Sequence, residues 1–267
     1  MSEELSWFED GRLAYLDVGA GEPIVLLHGG FLDHRLWRSQ ISAFAEGYRV
    51  IALDSRGHGA SANATRPFRH TDDVAALLRH LGLGPAVLVG VSMGGGIAVD
   101  TALEHPELVR ALVVCGAGTS QPRFTDPWAL EVFGRWQSAL AAGDAEAWLA
   151  AFEEFGVGPH RAPEDVDEAV MLLTRQMARG TIAKHTKGEP DWQVPVPDTW
   201  ARLPSITVPV LAINGDLDAP DHIAMAEELA RTVRNGRVAT ISGAAHYPNL
   251  EKPASFNEIL ASFLGSL

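Results

Sequence analysis

A single cysteine in 267 residues excludes an internal disulfide framework and suits a reducing compartment. That residue, Cys115, follows the apolar run Ala111-Leu112-Val113-Val114, where a buried, inert thiol is expected. No window approaches 18 uninterrupted apolar residues, so no transmembrane segment is predicted. Met1-Ser2-Glu3-Glu4 lacks the apolar stretch of a signal peptide, which makes the cytoplasm the expected location. Positive charge is scarce: 21 Lys and Arg stand against 34 Asp and Glu, a formal charge of −13. That balance disfavours nucleic acid and anionic membranes, both polyanions. Metal-ligand spacing of the H-E-x-x-H kind, a phosphate loop and a dinucleotide fingerprint are missing, and Gly94-Gly95-Gly96 lacks the G-x-G-x-x-G pattern. No metal and no cofactor are therefore expected. The expected partner is a small molecule, with the chain a monomer or homodimer.

What is present suits one large α/β domain: 46% of residues are hydrophobic and 21% charged. Short apolar runs recur at Ile24–Leu27, Val50–Leu53, Ala86–Val89, Ala111–Val114, Val208–Ile213 and Val238–Ile241, and read as strands buried on both faces of a parallel sheet. Ser6–Phe8 and Leu13–Val18 flank Glu9-Asp10-Gly11, which predicts an antiparallel hairpin at one sheet edge. Between strands, Val74, Leu77, Leu78 and Leu81 mark a helix with Thr71 as N-cap, Asp72 and Asp73 in the first turn and Gly82 as the stop. A last helix starts near Pro253, with Phe256, Ile259, Leu260, Phe263 and Leu264 as its buried stripe.

The alternation breaks between Thr119 and Leu203, where only helical patterns occur: Asp126-Pro127 opens one, Gly143-Asp144 separates it from the next and Pro163-Glu164-Asp165 opens a third. This stretch is too long for a connection and predicts a helical insertion over 119–203, with the core formed by 1–118 and 204–267. It holds five of the seven tryptophans, Trp128, Trp136, Trp148, Trp192 and Trp200. They either glue the insertion to the core or line an apolar pocket.

Gly90-Val91-Ser92-Met93-Gly94 follows the strand Ala86–Val89 and precedes a helix containing Ile97, Ala98, Thr101 and Ala102. This is G-x-S-x-G in strand–turn–helix context, which presents a serine on a sharp turn at a helix N-terminus. A serine hydroxyl needs a base. Of ten histidines His246 fits, since it lies just past the last predicted strand, on the carboxyl edge shared with Ser92. A carboxylate must orient that imidazole. Asp218, in Asn214-Gly215-Asp216-Leu217-Asp218, is preferred, with Asp216 as competitor.

These segments resemble the α/β-hydrolase superfamily over nearly the whole chain outside the insertion. His28-Gly29-Gly30 is similar to the family's oxyanion loop. The resemblance implies that the backbone N–H groups of Gly30 and Met93 form an oxyanion hole, that Phe31 walls the pocket and that His28 braces the loop. Asp54-Ser55-Arg56-Gly57-His58-Gly59-Ala60-Ser61 resembles the structural D-x-R-G-x-G-x-S segment, and His246 to Pro253 the segment of the catalytic histidine. The implied fold is a mostly parallel, twisted eight-stranded sheet flanked by helices, with the insertion as a cap. The expected pocket residues are Phe31, Trp128, Trp136 and Tyr247.

The implied activity is hydrolysis of a carboxylic ester or lactone of a small to medium, largely apolar substrate, through an acyl-enzyme on Ser92. A serine disfavours the dehalogenases and epoxide hydrolases, which carry aspartate at the elbow, and the dienelactone hydrolases, which carry cysteine. Hydrolysis of a carbon–carbon bond in a ring-cleavage diketone is the alternative, although such members have tryptophan where this chain has Tyr247. Haloperoxidase-like side activity is a weaker variant of the same chemistry. A non-catalytic receptor on the same fold is the remaining reading.

Overall fold

A computed structural model describes residues 4–9 and 12–267. The Met1–Glu3 start and the Asp10-Gly11 pair predicted to turn the first hairpin lie outside the described residues. The strands are β1 (Ser6–Phe8), β2 (Leu13–Gly19), β3 (Pro23–Leu27), β4 (Arg49–Leu53), β5 (Ala86–Val91), β6 (Val109–Cys115), β7 (Val210–Gly215) and β8 (Gly236–Ile241). They form one sheet in the order β1-β2-β4-β3-β5-β6-β7-β8. The predicted hairpin pairs β1 with β2 antiparallel, β2 is antiparallel to β4, and every pair from β4 to β8 is parallel. Strand order reverses at β3, since the chain passes to β4 on one side and then to β5 on the other. The carboxyl ends of β3 and β5 therefore open the crevice in which ligands of such sheets bind.

Helices cover both faces: α1 (Arg38–Phe44), α2 (His70–His80), α3 (Met93–Glu104), α4 (Pro127–Ala142), α5 (Ala145–Val157), α6 (Glu168–Ile182), α7 (Thr199–Arg202), α8 (Pro220–Thr232), α9 (Pro248–Glu251) and α10 (Pro253–Leu264). Side chains alternate across the sheet. Ile24 and Leu26 join one core layer with Ile41, Trp148, Phe152, Phe256 and Leu260, while Val25 and Leu27 join the other with Val74, Leu77, Ile97 and Leu229. Each fully buried aliphatic side chain contributes about 2 kcal/mol, so two filled layers hold the sheet without a covalent staple. Cys115 lies buried and free within the first layer. Among the described residues no helix is long and apolar enough to cross a membrane.

Three local expectations need correction. Strand β8 is the sheet edge rather than a strand buried on both faces, and Val238 is 45% exposed. Among the described residues no strand lies beyond it to cover that side, and Arg237 and Thr240 share the exposure, which suits an edge guarded against further pairing. Helix α2 begins at His70, not after Thr71; Arg69 holds the N-cap position without a side-chain bond, and the Thr71 hydroxyl is buried without a partner. Pro163-Glu164-Asp165 makes only a single 3₁₀ turn, closed when the Asp165 carboxylate accepts the Ala162 N–H, and α6 begins at Glu168 behind the Asp167 cap.

Between β6 and β7 the described residues form helices and no strand beyond an isolated bridge of Gln193 to Phe68. Asp126 caps α4 by accepting the Ala129 N–H, Gly143 ends that helix in the left-handed conformation, and Asp144 caps α5. Long-range contacts seat this helical segment on the core. The Lys184 ammonium donates to the carbonyls of His58, Gly59 and Ser61 after β4, and Arg161 pairs with Glu251 after β8.

Candidate active site

Ser92 closes β5 and opens α3 with φ +53° and ψ −117°, a conformation that costs a non-glycine residue about 1–3 kcal/mol. The neighbouring glycines explain how the turn is tolerated. A Cβ on Gly90 would lie 2.2 Å from the Gly94 carbonyl oxygen, and one on Gly94 would lie 2.1 Å from that of Leu27 on β3. The Ser92 N–H donates to the Cys115 carbonyl at 2.8 Å, so the elbow is pinned to the end of β6. Its side chain stays half-buried at the helix N-terminus.

Asp218 follows β7 and His246 follows β8; the two side chains are 2% and 1% exposed and meet at 3.0 Å, Asp218 Oδ2 to His246 Nδ1. An ionised carboxylate can only accept, so Nδ1 carries the proton and Nε2 presents its lone pair. Burial pushes the Asp218 carboxyl pKa up, but His222 and His246 outweigh it and hold the group well below the usual carboxylate range. Asp216, the competitor, is occupied elsewhere: its carboxylate accepts the Ser242 hydroxyl and the Gly243 N–H.

Ser92 and His246 converge on one peptide. Cys115 receives the Ser92 N–H, and a Cβ on the next residue, Gly116, would stand 2.9 Å from the His246 ring. Among the described residues no hydrogen bond joins the Ser92 hydroxyl to the imidazole; in free enzymes such catalytic bonds are often long and tighten with substrate. Asp218 Oδ1 has partners that sequence reasoning missed, the His222 Nδ1–H at 2.9 Å and the Ala219 N–H at 2.7 Å. The four-residue spacing of Asp218 and His222 across a helix start was the available signal.

The loop after β3 brings Gly30 beside the elbow: a Cβ there would lie 3.9 Å from Met93 Cβ, and one on Gly29 would lie 3.7 Å from Ser92 Cβ. His28 braces this loop. Its Nε2 accepts the Ser55 N–H at 2.9 Å, so Nδ1 is the protonated nitrogen and donates to the Gly29 carbonyl at 2.8 Å. Burial lowers its pKa and keeps the ring neutral. Phe31 follows with φ +63°. Arg56 ties Asp73 to Glu9, and Asp54 accepts from His34 and Ala60, so the D-x-R-G-x-G-x-S segment joins loops as expected.

Aromatic rings from the helical segment gather over this edge. Phe31 lies 5.4 Å from Trp136 and 4.7 Å from Trp148, centroid to centroid. Trp128 stacks on Phe155, whose ring is 5.4 Å from His246. Tyr247 lies 5.0 Å from His246 and lines a cavity with Phe152, Val157, Val170 and Met171. Trp200 instead packs against the second core layer beside Gly118, and the Trp192 carbonyl accepts the Phe68 N–H, so these two residues fasten the segment to the core. Its eight Lys and Arg side chains are all engaged, six arginines by carboxylates and Lys184 and Lys187 by carbonyls. The cluster can surround an apolar group but offers no spare cation. Burial raises the Cys115 thiol pKa, which disfavours a nucleophilic thiolate at this edge.

A model of the alpha/beta hydrolase fold matches residues 22–253. Over 266 residues the chain is 33% identical to a non-heme haloperoxidase of Rhodococcus erythropolis, covering 96% of each chain. It is 27% identical over 275 residues to 3-oxoadipate enol-lactonase 2 of Acinetobacter baylyi, covering 96% of this chain and 94% of the lactonase. The structure of a thermophilic esterase from Thermogutta terrifontis aligns with a TM-score of 0.75 at 27% identity, covering 95% of this chain and 93% of that one.

Proposed function

This chain is an enzyme of the α/β-hydrolase fold family, and we propose that it is a serine hydrolase cleaving a carboxylic ester or lactone of a small to medium, largely apolar substrate. The observation that carries the reading is the buried Asp218–His246 hydrogen bond, which engages Nδ1 and leaves Nε2 for the serine proton, with the ring packed against Gly116, the residue after the carbonyl that pins Ser92.

In this mechanism the Ser92 hydroxyl attacks the substrate carbonyl while His246 Nε2 takes its proton. Charge on the tetrahedral oxygen is met by the N–H groups of Gly30 and Met93, and loss of one such donor typically costs about 10²–10³-fold in rate. The imidazolium, stabilised by Asp218, returns the proton to the departing alkoxide, leaving an acyl-serine. Water, deprotonated by the same nitrogen, then releases the acid and restores the hydroxyl.

We assign residues 119–203 the role of a cap that excludes water and selects the acyl group, with Phe31, Trp128, Trp136 and Tyr247 against the substrate. The lack of an unpaired cation there favours a neutral substrate over one bearing a carboxylate. The lone buried cysteine favours the cytoplasm, and the reading needs no partner besides the substrate.

The test is a panel of p-nitrophenyl esters, lactones and a ring-cleavage diketone, with Ser92→Ala as control. Ester or lactone turnover that falls by about 10⁶ in the variant is expected. A loss of only a few-fold, or no labelling of Ser92 by a fluorophosphonate, would refute the assignment, and preference for the diketone would replace it with carbon–carbon hydrolysis.

A further inference from the structure

Asp218 serves two imidazoles. His246 takes one oxygen, and His222, in the first turn of α8, takes the other at 2.9 Å from a site where it is only 2% exposed. The two rings stack with centroids 4.1 Å apart and planes 23° from parallel. Phe124 and Phe155 stand edge-on to His222 at 5.5 and 4.9 Å.

We propose that His222 is a positioning residue for the hydrolytic reaction: a neutral imidazole whose Nδ1–H holds the Asp218 carboxylate turned toward His246. This rests on the hydrolase reading given above. The carboxylate can only accept, so the proton of the His222–Asp218 bond sits on Nδ1 of a neutral ring. With Oδ1 held by His222 and by the Ala219 N–H, the carboxylate cannot rotate and Oδ2 stays on His246.

His222 must also remain uncharged. When His246 accepts the serine proton, a second charged ring stacked on it would oppose the transfer. The surroundings enforce neutrality. Burial lowers the His222 pKa, against the attraction of Asp218. The charged or titratable groups around it are Asp218 and Asp221 from its own segment and His246 from the loop after β8, together with Cys115 and Tyr247 around Asp218. Burial keeps the Cys115 thiol and the Tyr247 phenol protonated. Asp221 is turned to the Thr125 hydroxyl and the N–H groups of Thr125 and Asp126.

The experiment measures ester hydrolysis against pH for the wild type, His222→Leu and His222→Asn, whose amide places an N–H near the Nδ1 position. In the Leu variant Asp218 regains its full charge density toward the imidazolium, so the acid limb of kcat/KM should move to higher pH. Its kcat should fall about tenfold or more, the scale on which outer hydrogen bonds orient imidazoles, with KM little changed. The Asn variant should recover most of both. A Leu variant with wild-type profile and kcat, or an Asn variant no better than Leu, would overturn the proposal while the wild type stays active. An inactive wild type would instead overturn the hydrolase reading and the catalytic role together. Because Leu could impair folding, nitrogen-15 NMR of labelled histidines in the native wild type gives a second readout. A neutral His222 protonated at Nδ1 at pH 7 is expected, and an Nε2–H or charged ring would overturn the proposal.

Discussion

The Arg161 guanidinium and the Glu251 carboxylate meet at 2.6 Å with side chains only 10% and 7% exposed. Arg161 also donates to the Val157 carbonyl, and the other Glu251 oxygen accepts the Ala245 N–H, immediately before His246. A continuous polar chain thus links the end of α5 to the backbone that carries the proposed base.

Arg161→Met would leave Glu251 buried without its cation, and breaking such a pair costs about 3 kcal/mol. At about 2–4 °C per kcal/mol for a chain of this size, Tm should drop by about 10 °C. The double variant with Glu251→Gln keeps an acceptor for Ala245 without a buried charge and should recover most of that loss. Thermal melts of both variants are the measurement, and a single variant as stable as the wild type would contradict the role given to the pair.

The backbone at Ser92 should be a site where activity opposes stability. Glycine relieves the positive φ, alanine does not. Ser92→Gly is therefore expected to be about 1 kcal/mol more stable than Ser92→Ala, with both inactive. Equal unfolding free energies would show that the elbow stores no strain.

Asp100 on α3 is 1% exposed, and burial pushes its carboxyl pKa up to about 6, against the opposing pull of Ser120, whose N–H approaches at 3.4 Å, and of the Arg202 charge. The sign follows from a folded pKa above the unfolded one, about 3.9. The neutral form suits the fold, so this contribution is whole below about pH 4 and is lost as pH rises through about 6. Asp100→Asn should stabilise the protein by about 2 kcal/mol at pH 8 and by little at pH 4. Denaturant titrations at the two pH values would show it, and an equal effect at both would remove burial of the charge as the cause.

Trp136 completes a triangle of rings with Phe31 and Trp148, at 5.4 and 5.1 Å. If this wall touches the acyl group, Trp136→Ala should raise KM for a bulky aryl ester about 10–100-fold and leave an acetyl ester nearly unchanged. A uniform loss across both esters would point to damaged folding or chemistry instead of a lost pocket wall.

Much of the fold was legible because each signal is local. Six apolar runs and one hairpin pattern end within two or three residues of the eight strands, since a strand buried in a parallel sheet must be apolar throughout. Asp126 and Asp144 announced helix starts through the hydrogen bonds a short carboxylate can make to the next turn. Thr71 and Pro163-Glu164-Asp165 misled for the complementary reason: a residue type suited to a helix start says nothing about whether the chain already has its first turn elsewhere.

The amino-acid pattern alone determined the family, the turn that carries Ser92 and the presence of a helical segment without strands, because glycine spacing and hydrophobic period act within a few neighbours. Tertiary structure alone decided that β8 is an edge, that Asp218 is shared by His222 and His246, and that Arg161 finds Glu251 90 residues away. Those outcomes depend on which loops meet after the sheet closes, and a contact between distant loops leaves no periodicity in the chain for a local reading to detect.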